Sequence, residues 1–459
     1  MNTMPVRYDT WFFVGVAGTG MSALAQFLAG MGKQVSGSDR LFSSEGADPS
    51  MRVRLEKAGV KCFEQDGSGI TPHTQCVVVS TAVEATTVEY VKATTLGIPI
   101  LQRSDLLALI AARYKTIAVS GTSGKSTTTA MIYEILRRAG LSPSIISGAG
   151  LTSLIREGRI GNAAVGEGEW LVIEADESDG SIVKYHPAIG VLLNIDKDHK
   201  DIDTLIGLFD TFRKQSAQFI VNKDHHLAAQ VGGDGAIGFG FDETSHPAFQ
   251  GSAFSQDGLQ VMFQINGVPF LLHTVGLHNV ENALAAVATA VLAGVSMNTA
   301  SEALASYEGI YRRHQVLGRK NGVWVIDDFA HNPIKCARSI QACQPLAPKV
   351  IAWFQPHGYG PTRFLRHDFV QEIAAVLRPT DEIWMSEIYY AGGTAVKDIS
   401  AGDLIADLAA CGATARFVSD RAGLTDMLRP HLTGDCVLLL MGARDPSLEQ
   451  FAVEVYASL

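Results

Sequence analysis

Residues 116–130 read TIAVSGTSGKSTTTA, and they decide the fold of the middle of this chain. An apolar run (Ile117, Ala118, Val119) enters a glycine-containing loop, then Gly-Lys-Ser, then a helix-compatible stretch ending in MIYEILRRAG. Strand, loop and helix in that order are the phosphate-binding arrangement of nucleoside triphosphatases. Gly121 and Gly124 let the backbone curl so that its N–H groups face a phosphate, with Thr122, Ser123 and Thr127 in the same turn. Lys125 supplies a point charge, and the Ser126 hydroxyl can ligate magnesium. Position 119, where the strict signature has its first glycine, is valine. ATP or GTP is the expected ligand.

Working outward, 459 residues suggest about three domains at the usual 100–200 residues each. With 47% apolar and 18% charged residues, a folded globular chain is expected. The net charge of −10 argues against general affinity for nucleic acid or an anionic membrane. No run of about 18 apolar residues suggests a transmembrane helix. The opening MNTMPVRYDTWFFVGV lacks a signal peptide's apolar core and cleavage site. Six cysteines lie scattered without C-x-x-C spacing, which fits reduced thiols in a cytoplasm. The expectation is a soluble cytoplasmic protein, monomer or homodimer, with no nucleic-acid or membrane partner.

The first part begins WFFVGVAGTGMSALAQFLAGMGKQVSGSD, a βαβ start with Gly15, Gly18 and Gly20 at its turn. Thr19, Met21 and Ser22 open the helix, and Ser38 and Asp39 close the second strand, Asp39 lying 24 positions after Gly15. The spacing is G-x-x-G-x-G, not that of the dinucleotide fingerprint. A phosphate or diphosphate at this helix start is one reading; a turn that needs glycines for close packing is the other. The run VVVSTAV, with Ser80 and Thr81 at its end, and GIPILQRSD, which carries Arg103, continue an alternation that implies a parallel sheet.

Two later apolar runs end in charge clusters. WLVIEADESD stops at Glu174, Asp176, Glu177 and Asp179, and AIGVLLNIDKDHKD at Asn194, Asp196, Asp198 and His199. In parallel α/β sheets ligands gather at the carboxyl ends of strands, so acidic groups beside a phosphate loop suit a magnesium–nucleotide site. Residues 239–275 read as a β-rich excursion, and VGLHNVENALAAVATAVLAG as a helix displaying His278, Asn279 and Asn282 at its start. The third part again alternates apolar runs with polar ends. GVWVIDDFAHNP ends in Asp327, Asp328, His331 and Asn332, and KVIAWFQPHGYGPTRF in Gln355, His357 and Arg363.

GTSGKSTTTAM, EADESD, NIDKDH, GLHNVENALAA, YRRHQ, DDFAHNP and FQPHGYGPTR, in this order and spacing, resemble the Mur ligase superfamily. With GVAGTGMS and GSD at the start, the chain most resembles its UDP-N-acetylmuramate branch. The resemblance implies three α/β domains: a Rossmann-like one for the UDP-sugar (1–113), a P-loop ATPase domain with a parallel sheet (114–314) and a Rossmann-like acceptor domain (315–459). It implies a ligase that uses ATP and Mg2+ to join the lactyl carboxylate of UDP-N-acetylmuramate, or a similar UDP-sugar, to an amine through an acyl-phosphate. L-alanine is the default acceptor, and a short peptide such as a recycled tripeptide, or another amino acid, the alternative. A Mur-like ligase in another pathway and a degenerate nucleotide-binding protein are further readings.

By the same resemblance, Glu174 and His199 serve a second magnesium, His278, Asn279 and Asn282 the adenine, and Asp328 the ribose. Arg313 serves the transferred phosphate, so Lys125, Glu174, His199 and Arg313 form the expected catalytic set. Gly15, Gly18, Thr19, Gly20, Met21, Ser22, Ser38, Asp39, Ser80, Thr81 and Arg103 are expected at the sugar nucleotide, and Phe329, His331, His357 and Arg363 at the acceptor. Some positions depart from the alanine-ligase pattern. Ser123 and Ser126 stand for histidine and threonine, Gly358 and Pro361 for two arginines, and Phe329 and Asn332 for tyrosine and histidine. EATTVEY replaces a DNPEI-like motif. Glycine and proline cannot offer the bidentate hold on a carboxylate that arginine does, which leaves Arg363 for that task.

Overall fold

The computed structural model describes residues 8–43, 49–196, 201–390, 392 and 395–459. The chain divides into two compact units, one of residues 1–252, 265–270 and 281–310, the other of 253–264, 271–280 and 311–459.

The first sheet comprises β1 (Thr10–Val14), β2 (Gln34–Asp39), β3 (Val60–Glu64), β4 (Cys76–Val79) and β5 (Ile100–Gln102). Its order, β3-β2-β1-β4-β5, is that of a Rossmann half-fold, with the order reversing between β1 and β4. Every residue of the run Trp11–Val14 is buried because both faces are covered. Trp11 and Phe13 feed one hydrophobic cluster and Phe12 and Val14 another, as the two-residue period of a strand requires.

The second sheet comprises β6 (Lys115–Ser120), β7 (Ser144–Ile146), β8 (Ala163–Ala164), β9 (Trp170–Glu174), β10 (Ile189–Leu192), β11 (Gln218–Asn222), β12 (Ile237–Gly240), β13 (Phe249–Asp257), β14 (Gln260–Ile265) and β15 (Val268–His273). They run in the order β15-β14-β13-β12-β11-β10-β6-β9-β7-β8. β6 lies between β10 and β9, parallel to both, so the loop that follows it emerges beside two other strand ends. The third sheet comprises β16 (Gln315–Lys320), β17 (Val323–Asp328), β18 (Lys349–Gln355), β19 (Glu382–Ser386), β20 (Thr414–Val418) and β21 (Cys436–Gly442), in the order β16-β17-β21-β18-β19-β20. The pairs from β17 to β20 are parallel, and β16 is antiparallel to β17. The three-sheet α/β architecture expected from the alternating runs is therefore present. Among the described residues no helix is long and apolar enough to cross a membrane.

The first two sheets share one core. Trp11, Phe13 and Leu24 belong to the same buried cluster as Leu171, Ile173 and Phe209. Within it Asn162 makes a polar tie that a purely apolar contact could not orient. Its side-chain amide donates to Thr19 O at 2.9 Å and Ser22 Oγ at 3.0 Å, and its carbonyl accepts from Gln26 Nε2 at 2.7 Å. These bonds fix the first turn of the helix Thr19–Gly30 against β8. Asn162→Ala takes the carbonyl partner from one Gln26 N–H in a buried place and cuts the tie to Thr19 O and Ser22 Oγ. It is expected to destabilise the fold by about 1–3 kcal/mol in urea unfolding; a change below a few tenths would show that the tie contributes nothing.

Candidate functional site

The phosphate loop is held on both sides. β6 ends at Ser120, and the helix Lys125–Arg138 starts after Gly124, whose φ is +85° and which carries no side-chain cap. A Cβ at Gly124 would lie 2.3 Å from Asn282 Oδ1, and one at Gly121 3.1 Å from Leu193 Cβ. Glycine is required at both places by space and by φ. Asn194, at the end of the β10 segment, braces the loop. Its Oδ1 accepts from Thr122 Oγ1 at 2.9 Å and Ser123 N–H at 2.8 Å, and its Nδ2 donates to Ser123 O at 3.1 Å. Because these bonds use the backbone of Ser123, the exchange of histidine for serine there leaves the loop intact. The amide groups of the first helical turn are the uncapped donors that a phosphate seeks.

Lys125 Nζ donates to Gly121 O at 2.6 Å and to Glu177 Oε2 at 2.8 Å. Burial alone would lower its pKa, but Glu177, Asp176 and Glu174 outweigh that and raise it, so the ammonium stays charged. The carboxylates sit on the turn that follows β9. Glu174 pairs in register with Val119 and accepts from Ser147 Oγ at 2.8 Å and Gly148 N–H at 2.5 Å. Ser126 is buried at the start of the helix, and Thr127 is half-buried beside it. His199 lies outside the described residues. Among the described residues no group of three His, Cys, Asp or Glu gathers as a metal site.

Asp179, two residues beyond Glu177, binds Arg103 Nη2 at 3.0 Å. Arg103 lies against the first-sheet glycine loop, since a Cβ at Gly20 would meet its Cδ and Nη1 at 3.1 Å. Gly15, at φ +76°, donates its N–H to Ser38 O, and Gly18 is the uncapped N-cap of the helix Thr19–Gly30. Gly18 and Thr19 are exposed at this helix start. Met21 and Ser22 are buried, and the Ser22 backbone is engaged within the protein, its N–H donating to Gly18 O at 2.8 Å and its carbonyl accepting from Gln26 Nε2 at 2.9 Å. Ser38 turns its hydroxyl to Glu89, and Asp39 accepts from the N–H groups of Ala17 and Leu41, so both brace the loop. Ser80 and Thr81 follow β4, with Thr81 exposed.

The helix Leu277–Leu292 carries His278, Asn279 and Asn282. Asn282 Oδ1 accepts from Thr128 Oγ1 at 3.3 Å within the first unit. In the second unit Asn279 ties its amide to Val275 O and Thr274 Oγ1, and the His278 ring stands 5.0 Å from that of His314. Asp328 accepts the His314 N–H at 3.0 Å. Burial would raise Asp328, but His314 and Arg313 hold its pKa low. Arg313 lies over the Phe329 ring at 4.7 Å, Phe329 meets His331 edge-on at 5.5 Å, and His331 stands 5.7 Å from His357. His331 Nδ1 lies 2.9 Å from Phe329 O, and since a carbonyl can only accept, the ring proton sits on Nδ1 and Nε2 presents a lone pair. Arg363 is engaged by Asp398 at 2.9 Å, half in solvent.

Most of the expected residues thus fall into five groups: the phosphate loop, the end of β9 and its turn, the first glycine loop, the start of the helix Leu277–Leu292, and the ladder Arg313–Phe329–His331–His357 with Asp328, while Ser80, Thr81 and Arg363 stand apart from them. Sequence reasoning named Glu177, Asp179 and Asn194 only as members of charged strand ends. Their partners, Lys125, Arg103 and the Ser123 backbone, are distant in sequence and leave no local signal. Arg312 and His314 sit inside the quoted YRRHQ without an assigned role. Asn162 has no signal at all.

Comparison with known proteins bears on the class. Residues 11–115 match the Mur ligase family, catalytic domain, residues 119–290 the Mur ligase middle domain, and residues 312–444 the Mur ligase, glutamate ligase domain. A UDP-N-acetylmuramate–L-alanine ligase of Bdellovibrio bacteriovorus is 34% identical over 459 residues, 96% of this chain and 97% of its own. One from a Synechococcus strain is 33% identical over 465 residues, 94% of this chain and 93% of its own. Among solved structures, the UDP-N-acetylmuramate–alanine ligase of Thermotoga maritima superposes with a TM-score of 0.80 at 25% identity, covering 98% of this chain and 99% of its own. The chain belongs to the Mur ligase family.

Two predictions arise from this geometry. Gly124→Ala places a methyl group against Asn282 Oδ1 at a φ that alanine resists, so ATP affinity should fall at least tenfold, on the order of 1.4 kcal/mol; unchanged affinity by calorimetry would contradict the loop's role. The second concerns protonation. Burial lowers both His278 and His331 to about 3, helped by His314 beside the first and Lys335 beside the second. Both are neutral when folded, while unfolded histidine titrates near 6.5. The unfolded chain then binds more protons between those values, so stability is full above about 6.5 and is lost as pH falls toward 3. Ring resonances of both should stay flat by NMR from pH 8 to about 5, with the unfolding midpoint dropping as pH falls; a titration near pH 6.5 in either ring would contradict the burial argument.

Proposed function

We propose that this chain is an ATP-dependent, ADP-forming ligase that joins the lactyl carboxylate of UDP-N-acetylmuramate to L-alanine, a cytoplasmic step in peptidoglycan precursor synthesis. The observation that carries the reading is the pair of uncapped, glycine-started helices in one compact unit, with Lys125 and Arg103 tied to a single acidic turn. One helix start suits a triphosphate and the other a diphosphate. The relatives that match along nearly the whole chain carry that reaction in their names.

A carboxylate is a poor acylating agent because oxide leaves badly. When a carboxylate oxygen takes the γ-phosphoryl group of ATP, ADP departs and the acyl carbon gains a good leaving group. The amine then attacks that carbon, phosphate leaves with the C–O electron pair, and the nitrogen loses a proton. Catalysis of such steps is mostly positioning and charge neutralisation. Lys125 and the loop amides serve the β- and γ-phosphates. Magnesium supplies further neutralisation of phosphate charge; Ser126 and Glu174 are oxygen donors of the kind it prefers, and its nucleotide sites need few protein ligands. In this reading Ser126 would serve one magnesium, and Glu174 with His199 a second. Asp328, His278, Asn279 and Asn282 serve the nucleoside, and Arg313 the transferred group. His331, neutral and with Nε2 as acceptor, orients the incoming amine. The proposed division of labour is 1–113 for the sugar nucleotide, 114–314 for ATP and 315–459 for the acceptor.

A short-peptide acceptor is the second reading, favoured by Gly358 and Pro361 at the arginine positions and by Arg363 being paired with Asp398. With Arg363 engaged by Asp398, alanine gains less binding at its carboxylate, and groups remote from the amine can supply the positioning. Phosphate release with UDP-N-acetylmuramate, ATP and magnesium tests both readings. Turnover with L-alanine is expected, lost in Lys125→Ala, together with a kcat/KM for alanine-started di- or tripeptides within about 100-fold, roughly 2.7 kcal/mol, of that for alanine. A larger preference for alanine would remove the second reading, and no phosphate release with any acceptor would remove both.

A further inference from the structure

Arg313 stands between two residues with left-handed backbones, Arg312 at φ +55° and His314 at φ +47°. Neither is glycine, so each conformation persists only because surrounding contacts impose it. Those contacts originate in two adjacent carboxylates at the end of β17, whose side chains leave the strand on opposite faces.

Asp327 takes Arg312 with both oxygens, Nε at 2.8 Å and Nη2 at 3.2 Å, a fork that resists rotation. Arg312 Nη2 also donates at 3.1 Å to the carbonyl of Gly442, the last residue of β21. The Arg312 backbone is fixed at both ends, its N–H to Gln315 Oε1 at 3.0 Å and its carbonyl to Phe329 N–H at 2.8 Å. On the other face Asp328 Oδ1 accepts the His314 N–H at 3.0 Å, and His314 Nε2 meets Ser339 Oγ at 3.0 Å. The arginine between these two anchors lies over Phe329, whose own backbone N–H belongs to the clamp.

We propose that Arg312 and His314 are positioning residues that aim Arg313: the strained backbone on each side, pinned by Asp327 and by Asp328 with Ser339, allows its guanidinium one direction of approach. This rests on the reading of Arg313 as the group that serves the transferred phosphoryl. An arginine needed only in the transition state gains from being fixed beforehand, since reorientation during the reaction would cost part of what it stabilises.

The test uses the full chain in steady-state phosphate release with UDP-N-acetylmuramate, magnesium–ATP and L-alanine. Two variants address the clamp: His314→Asn, which tolerates positive φ but lacks the ring that reaches Ser339, and Arg312→Lys, which keeps the charge beside Asp327 without the fork. Each should lower kcat about tenfold or more while KM for both nucleotides changes less than about twofold. In an Arg313→Ala background the same substitutions should cost less than about twofold, because nothing remains to be aimed. Equal losses in both backgrounds, or losses in KM alone, would make the clamp merely structural and overturn the proposal. Near-normal kcat in Arg313→Ala by itself would instead overturn the role assigned to Arg313, and this inference with it.

Discussion

The ion pair between Lys125 and Glu177 sets the terms for the first unit. An ammonium at the head of a helix, with most of its surface covered, would cost several kcal/mol if unpaired. Glu177 at 2.8 Å and the Gly121 carbonyl at 2.6 Å remove that cost, and the neighbouring Asp176 and Glu174 add to the field that keeps the lysine charged. A phosphate arriving at this loop would therefore compete with a carboxylate for the lysine. The acidic strand end and the lysine of the glycine loop are one electrostatic arrangement.

The turn that carries Glu177 is short and internally bonded. Ser178 N–H closes on Asp176, Ser181 N–H on Asp179, and Gly180 makes the bend at φ +74°. Glu177 and Asp179 thus leave one stiff turn toward two different cations, the phosphate-loop lysine and Arg103 beside Gly20. The shared hydrophobic cluster and the Asn162 tie hold the two sheets so that these reaches are fixed in length. Close packing, with little room for adjustment, is what allows a three-ångström ion pair to span two sheets.

The fold was legible because its strands are buried on both faces and its loops are glycine-marked. WFFV, WLVI and VLLL are continuous apolar runs within central strands, and alternate residues of the first and third feed opposite cores. The phosphate loop was legible because space and φ admit only glycine at 121 and 124. Long-range polar partners were not. Nothing in the sequence pairs Asn162 with Gln26, Asp179 with Arg103 or Asn194 with Ser123, since a hydrogen bond between residues 70 or more positions apart leaves no period. Met21 and Ser38 show a different limit: residues inside a glycine-marked motif can turn their side chains into the protein, which the motif alone does not reveal.

The acceptor end departs from the alanine-ligase pattern for a reason that backbone geometry makes concrete. Gly358 has φ +73° and donates its N–H to Tyr389 O at 2.9 Å, opening the short helix Tyr359–Phe364. An arginine there would carry a Cβ in a conformation that L-residues avoid, so the substitution changes the turn and not only the side chain. Around it Tyr359 and Tyr390 stack edge-on at 5.3 Å with Lys397 over both rings, and Arg363 is turned to Asp398. A guanidinium fork fixes both the position and the angle of a carboxylate, whereas an ammonium on a flexible stem fixes position alone. The GKS loop keeps the pattern that the resemblance implies, while the two arginine positions of that pattern hold Gly358 and Pro361, on a turn that begins at a φ an arginine would resist. On the proposed reading, in which this end receives the acceptor, selectivity comes from shape and from contacts away from the carboxylate, on the same strand ends that present His331 and His357.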